Sequence, residues 1–185
     1  MALSIIFFFI NHSMGAWAPS MLIDKNFSIT QAGYITSICT IISLLSLILI
    51  TSLFPKNKRK EAIIYILVIC SIGCIGIGFS SGYLLIGSIL LVTIFKIALM
   101  PLSTLILMEH KDIGPQKIGT AAGMFFASAE IGGFGGPFII GLLRELTDSH
   151  QTGGIFSAFL CVVGIIFSFK LDNKQNDIPR TIKKS

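Results

Sequence analysis

Residues 29–54 read ITQAGYITSICTIISLLSLILITSLF, and no charged side chain interrupts them. A helix needs about 20 apolar residues to cross a hydrocarbon core of ~30 Å, so this stretch predicts a membrane span. Working outward, Ala2–Ile23 precedes it, and Ala62–Ser80, Tyr83–Met108, Ile118–Leu143 and Gly154–Leu171 follow, each of spanning or nearly spanning length. The connections are Asp24-Lys25-Asn26, Pro55 to Glu61, Ser81-Gly82, Glu109 to Lys117 and Arg144 to Gly153. They are short and polar, as antiparallel neighbours require. The expectation is an all-α membrane protein whose six transmembrane helices form one bundle over residues 1–171. Residues 172–185 are polar and lysine-rich and are expected to form a disordered cytoplasmic tail.

Composition supports hydrocarbon as the solvent. Only 12% of the 185 residues are charged, 53% are hydrophobic and the mean hydropathy is +0.84. A soluble domain carries about 25% charged residues. The 14 Lys and Arg against 9 Asp and Glu leave a net charge of +5. Those basic residues sit in short clusters between apolar runs, which orients a membrane protein rather than binding nucleic acid. With a cytoplasmic N-terminus, the inside carries Lys56, Lys58, Arg59, Lys60, Lys111, Lys117, Lys170, Lys174, Arg180, Lys183 and Lys184. The outside carries Lys25 and Arg144. That asymmetry predicts both termini in the cytoplasm of a multi-pass cell (inner) membrane protein.

Three features are read as non-functional. Ala2–Ile10 followed by Ala16-Trp17-Ala18 has the outline of a secretory signal, but no basic residue precedes it. The apolar run also continues to Ile23, so it reads as a retained span. Cys39, Cys70, Cys74 and Cys161 lie inside apolar runs without ligand spacing and read as small apolar fillers. Gly78, Ser80 and Gly82 match G-x-S-x-G, but the motif needs a strand–turn–helix elbow with an acid and a histidine. No enzyme, cofactor or metal is expected.

Ionisable side chains inside the spans point to function. His12, Lys96 and Glu130 fall near the middle of the first, fourth and fifth spans. A charge at the bilayer centre costs ~3 kcal/mol on insertion scales, so such residues face a bundle interior, a partner or a water-filled cavity. Helical spacing puts Thr93, Lys96, Met100, Ser103 and Thr104 on one face. The second span adds a stripe of Thr36, Thr40, Ser43 and Ser46, and the first adds Asn11. Two readings stay open. Lys96 and Glu130 form a structural ion pair, or they belong to a solute or proton site. His12 is a packing histidine or a member of that site. The hydroxyl stripe is helix-packing glue or a ligand path.

Helix breakers form a second pattern. Gly15 and Pro19 interrupt the first span, and Pro101 the fourth, at corresponding places if spans one to three and four to six are inverted repeats. The fifth span carries two GxxxG spacings, Gly119/Gly123 and Gly132/Gly136, with Pro137 adjoining. Such spacings let a neighbouring backbone approach closely.

These stretches resemble the C-terminal half of a major facilitator superfamily transporter. Trp17 to Leu22 and Phe27 to Gly33 resemble that family's seventh helix and the approach to its eighth. Gln116 to Gly123 resembles the start of the eleventh, and Gly132 to Gly141 its glycine-rich remainder. The resemblance implies a 3+3 inverted-repeat fold and secondary active transport of a small solute. It places the first and fourth helices at the central cavity, with Asn11, His12 and Lys96 at solute depth and Glu130 nearby. Lys96 points to an anionic solute, as in cyanate- or sugar-acid-type members, with proton coupling through the buried groups. The basic loop Pro55 to Lys60 departs from the family's inner-loop signature. Six helices are half of a family member, so the chain is expected to act with an N-terminal six-helix half or a second copy. The alternatives are a membrane subunit resembling the substrate-capture component of a vitamin importer, and an inactive truncated transporter.

Overall fold

The computed structural model describes residues 1–55, 58–109 and 113–169. Among them the chain forms α1 (Ala2–Ile23), α2 (Ile29–Leu53), α3 (Arg59–Phe79), α4 (Gly82–Lys96), α5 (Leu99–Met108), α6 (Ile118–Thr147) and α7 (His150–Phe169). A single 3₁₀ turn, Pro115–Lys117, leads into α6. Helices α4 and α5 are two pieces of one span, so six spans result. The expected tail, 172–185, lies outside the described residues.

Local chemistry sets the ends. The hairpin between α1 and α2 turns on Asn26 at φ 69°, a left-handed conformation that asparagine tolerates. Ser28 then caps α2: its hydroxyl accepts from the Gln31 amide, while Gln31 Oε1 accepts from the Ser28 amide. Gly82 at φ 58° opens α4.

The observed spans differ from the expected ones in several places, and α3 begins at Arg59 rather than Ala62. Helix α6 continues through Arg144 to Thr147, and α7 begins at His150. Much of the predicted 144–153 connection is therefore helical. The fourth span breaks after Lys96, because Pro101 has no N–H for the Ile97 carbonyl and its ring crowds that carbonyl. The turn tightens there, with the Ala98 amide donating to the Phe95 carbonyl at 3.3 Å. Ser46 of α2 donates to the carbonyl of Ile94 at 3.0 Å, a group that the regular ladder would have paired with Ala98. In contrast, α1 stays continuous through Pro19 and α6 through Pro137. The matched interruption of spans one and four therefore exists as a pair of prolines but as only one broken helix.

Packing follows the repeat. Helix α1 packs most extensively on α6 and α2 on α4, while α3 and α7 pack on each other. Exchanging the first three spans for the last three turns one of the first two pairs into the other. Helix α1 is central, with 56% of its apolar window buried, against 17% for α2. Ile38, Ile41, Leu45, Ile48 and Leu49 of α2 form an exposed apolar face suited to acyl chains.

The close contacts use glycine selectively. A Cβ on Gly132 would strike the Ile5 carbonyl, and one on Gly136 would lie 2.7 Å from the Phe9 carbonyl. Thus α1 and α6 touch backbone to backbone. Gly119 and Gly123 have nothing within 4 Å, so the first GxxxG spacing makes no such contact. Helix α7 meets α3 in the same way at Gly154, whose Cβ would lie 2.7 Å from the Cys74 carbonyl. The four cysteines are free and buried.

Candidate functional site

A cavity of about 470 Å³ opens between α1, α2, α4 and α6. Asn11, His12 and Gly15 contribute from α1, Thr40 and Ser43 from α2, Thr93 and Lys96 from α4, and Pro137 from α6. Its volume lies within the ~300–1,000 Å³ usual for small-molecule sites.

Lys96 is the last residue of α4 and is 9% exposed. Its Nζ donates to the backbone carbonyl of Asn11 at 2.8 Å, tying the broken fourth span to α1. An ammonium carries three donors, so this bond leaves two for a ligand. The fifth-span carboxylate is elsewhere. Glu130 is on an exposed face of α6, and the ion pairs seen among the described residues include Arg59 with Glu109 and Arg144 with Asp24. The structural Lys96–Glu130 pair is not formed. Glu130 instead lies beside His12: both its Oε2 and the His12 ring come within 3.4 Å of the point where a Gly133 Cβ would sit.

His12 is oriented by its own helix. Its Nδ1 lies 3.0 Å from the Phe8 carbonyl, and the ring stacks on Phe8 at 5.3 Å. A carbonyl only accepts, so Nδ1 is the donor in this contact and Nε2 is left for another partner. Thr93 Oγ1 donates to the Ile89 carbonyl at 2.7 Å, which leaves its oxygen lone pairs as acceptors.

The fourth-span face expected to run from Thr93 to Thr104 is divided by the break at Ile97–Ala98. Thr93 and Lys96 reach the central cavity, whereas Ser103 lines a separate pocket of about 130 Å³ with Ser4, Ile63 and Phe125. The hydroxyl stripe of α2 divides too. Thr40 and Ser43 line the cavity, and Ser46 binds the Ile94 carbonyl. Gly15 lines the cavity with backbone atoms and meets nothing within 4 Å, so its place is at the site rather than in a helix contact. Pro19 lies in an adjoining groove with Thr36 and Ser37.

Sequence reading missed a clasp at the end of the bundle that carries Asp24. Arg144 donates two-pronged to Asp24, with Nη2 to Oδ1 at 3.0 Å and Nε to Oδ2 at 3.2 Å. His150 Nε2 lies 3.1 Å from the same carboxylate, and the Trp17 ring covers His150 at 5.6 Å. The Trp17 indole donates to the Pro137 carbonyl at 2.9 Å. At the opposite end Arg59 pairs with Glu109, and Lys60 donates to the Phe169 carbonyl. The partners are more than a hundred residues apart in the Asp24 clasp, and only charge complementarity between loop-like segments hinted at them.

The sequence profile of the Major Facilitator Superfamily matches residues 1–137. The chain belongs to the major facilitator superfamily. Like its relatives it is a multi-pass membrane protein of a transporter family, and the cavity lies among four of its helices. It is 25% identical over 155 residues to an "Uncharacterized MFS-type transporter YybF" of Bacillus subtilis (strain 168), covering 83% of this chain and 38% of that protein. It is 26% identical over 170 residues to a "Putative tartrate transporter" of Agrobacterium vitis, covering 86% of this chain and 37% of that protein. The facilitator chain thus spans less than two fifths of the length of these curated relatives. Family membership favours the carrier reading over that of an importer component.

Proposed function

We propose that this facilitator chain forms one wall of a secondary carrier for a small organic anion, with Lys96 as the anion anchor. The observation that carries the reading is a buried ammonium at a cavity lined by Asn11, His12, Thr93, Thr40 and Ser43. A buried cation costs several kcal/mol of desolvation in real proteins, and an anionic ligand offsets that cost. The relative named for tartrate points to the same ligand chemistry. Glu130 and His12, side by side at mid-span, suit a proton-coupling pair, because neighbouring ionisable groups in a membrane bundle exchange protons as their surroundings alternate.

The cavity has an open side, and the exposed carboxylate of Glu130 lies on a face that hydrocarbon would not solvate. A second six-helix half, or a second copy, covers that face in the working carrier. The asymmetry of basic residues supports an orientation with both termini in the cytoplasm and the Asp24–Arg144 clasp outside.

Proteoliposome uptake of labelled organic acids tests the reading, with the chain alone and with a matching N-terminal half. Uptake is expected with both halves; uptake by the chain alone would assign the covering role to a second copy. Lys96→Met should abolish it while leaving membrane insertion intact. Unchanged uptake by the Lys96→Met protein would remove Lys96 from the site.

A further inference from the structure

Two residues that line the cavity have backbone carbonyls without their helical donors. Pro19 has no N–H for the carbonyl of Gly15, and Pro101 none for that of Ile97. Gly15 and Ile97 both line the 470 Å³ cavity, alongside Lys96. Glycine has no side chain, so Gly15 presents only backbone there. Among the described residues no side-chain hydroxyl bonds either carbonyl. Ser46 shares its proton between the Ser43 and Ile94 carbonyls instead. Thr93 uses its proton on Ile89, Thr40 on the Thr36 carbonyl and Ser43 on the Thr40 carbonyl. The cavity hydroxyls are thus committed as donors to their own helices. Apart from Lys96, the Asn11 amide and the His12 ring, the polar groups at this cavity are left as acceptors.

We propose that the cavity selects hydroxylated carboxylates: Lys96 takes the carboxylate, and the Gly15 and Ile97 carbonyls take hydroxyl protons of the same solute. This rests on the reading of Lys96 as an anion anchor. A simple fatty-type acid satisfies the ammonium but leaves both carbonyls unpaired in a low-dielectric wall. A site built around hydrogen bonds discriminates against a ligand that cannot make them. The two prolines therefore act as specificity elements. Each removes one donor from the bundle, and the solute supplies it.

The test uses the full chain in detergent, with the fluorescence of its one tryptophan, Trp17, as the binding signal. Trp17 is bonded to Pro137, a cavity residue. The probes are propionate, lactate and glycerate, which add one hydroxyl at a time to a three-carbon acid, and glycerol as the neutral member. Each hydroxyl is expected to tighten binding about three- to tenfold, the range of one net hydrogen bond. Pro19→Ala returns an N–H to Gly15 within a helix that is already continuous, and should lower glycerate to the level of lactate. Pro101→Ala should do the same through Ile97. Lys96→Met should weaken all three acids alike while preserving their order.

Equal binding of the three acids, or an unchanged series in both proline variants, would overturn the inference and leave the anion reading standing. Glycerol binding as tightly as glycerate, or acids indifferent to Lys96→Met, would overturn the anion reading itself. A fluorescence signal that responds to none of the four would overturn both.

Discussion

Gly132→Ala is the most direct probe of the α1–α6 contact. The added methyl would land on the Ile5 carbonyl, 2.7 Å from the Ile5 carbonyl carbon and 3.0 Å from its Cα. All three are backbone atoms within a helix, so no rotamer change relieves the clash. Ordinary carbon contacts of ~3.5–4.0 Å return only if α1 and α6 part by about 1 Å or more. That separation also strains the Gly136 contact one turn on and the Trp17–Pro137 hydrogen bond. Overpacking of this kind costs about 1–3 kcal/mol. At ~2–4 °C per kcal/mol for a chain of this size, the melting temperature should fall by roughly 2–12 °C. Thermal unfolding in detergent micelles measures it. The matched control is Gly123→Ala, where an added methyl meets nothing within 4 Å. Alanine is the better helix former by ~1 kcal/mol, so that variant should be neutral or slightly stabilised. Equal losses in both would show that glycine content, and not the particular contact with Ile5, governs the α1–α6 interface.

Two further outcomes follow from the clasp and the break. Asp24→Asn removes the carboxylate that pairs with Arg144; its melting temperature should fall less than that of Gly132→Ala, because the clasp is partly exposed. Added salt should narrow the gap between wild type and Asp24→Asn, since screening weakens the pair only where it exists. Ser46→Ala leaves the Ile94 carbonyl unbonded beside the broken turn, at a cost of about 0.6 kcal/mol for a typical interhelical bond in a membrane protein. Amide exchange across residues 95–98 should quicken in that variant, and Ser46→Thr, which keeps a hydroxyl, should reverse the change.

Much of the cavity was legible as composition. Lys96, His12 and Asn11 stood out because an ionisable or amide side chain within an apolar run has few tolerable surroundings, and all three line one cavity. Glu130 stood out for the same reason, yet the structure sets it beside His12 and away from any ion pair with Lys96. Spacing along a helix fixes a face only while the helix is regular. The break after Lys96 therefore sent Ser103 to another pocket, where periodicity had joined it to Thr93. The two GxxxG spacings were indistinguishable as text, and only Gly132/Gly136 meets a neighbour.

What the sequence alone determined is the solvent, the number of spans and the kind of residue at mid-membrane. These follow from transfer free energies that each segment carries whatever its neighbours do. The tertiary structure decided which glycine pair makes the contact, which proline breaks its helix, and where Lys96 finds its acceptor. Those outcomes depend on atoms brought together from distant parts of the chain: Ile5 against Gly132, Ser46 against Ile94, Asn11 against Lys96. Contact energies of this sort fall off within a few ångströms, and no local pattern in the chain encodes them.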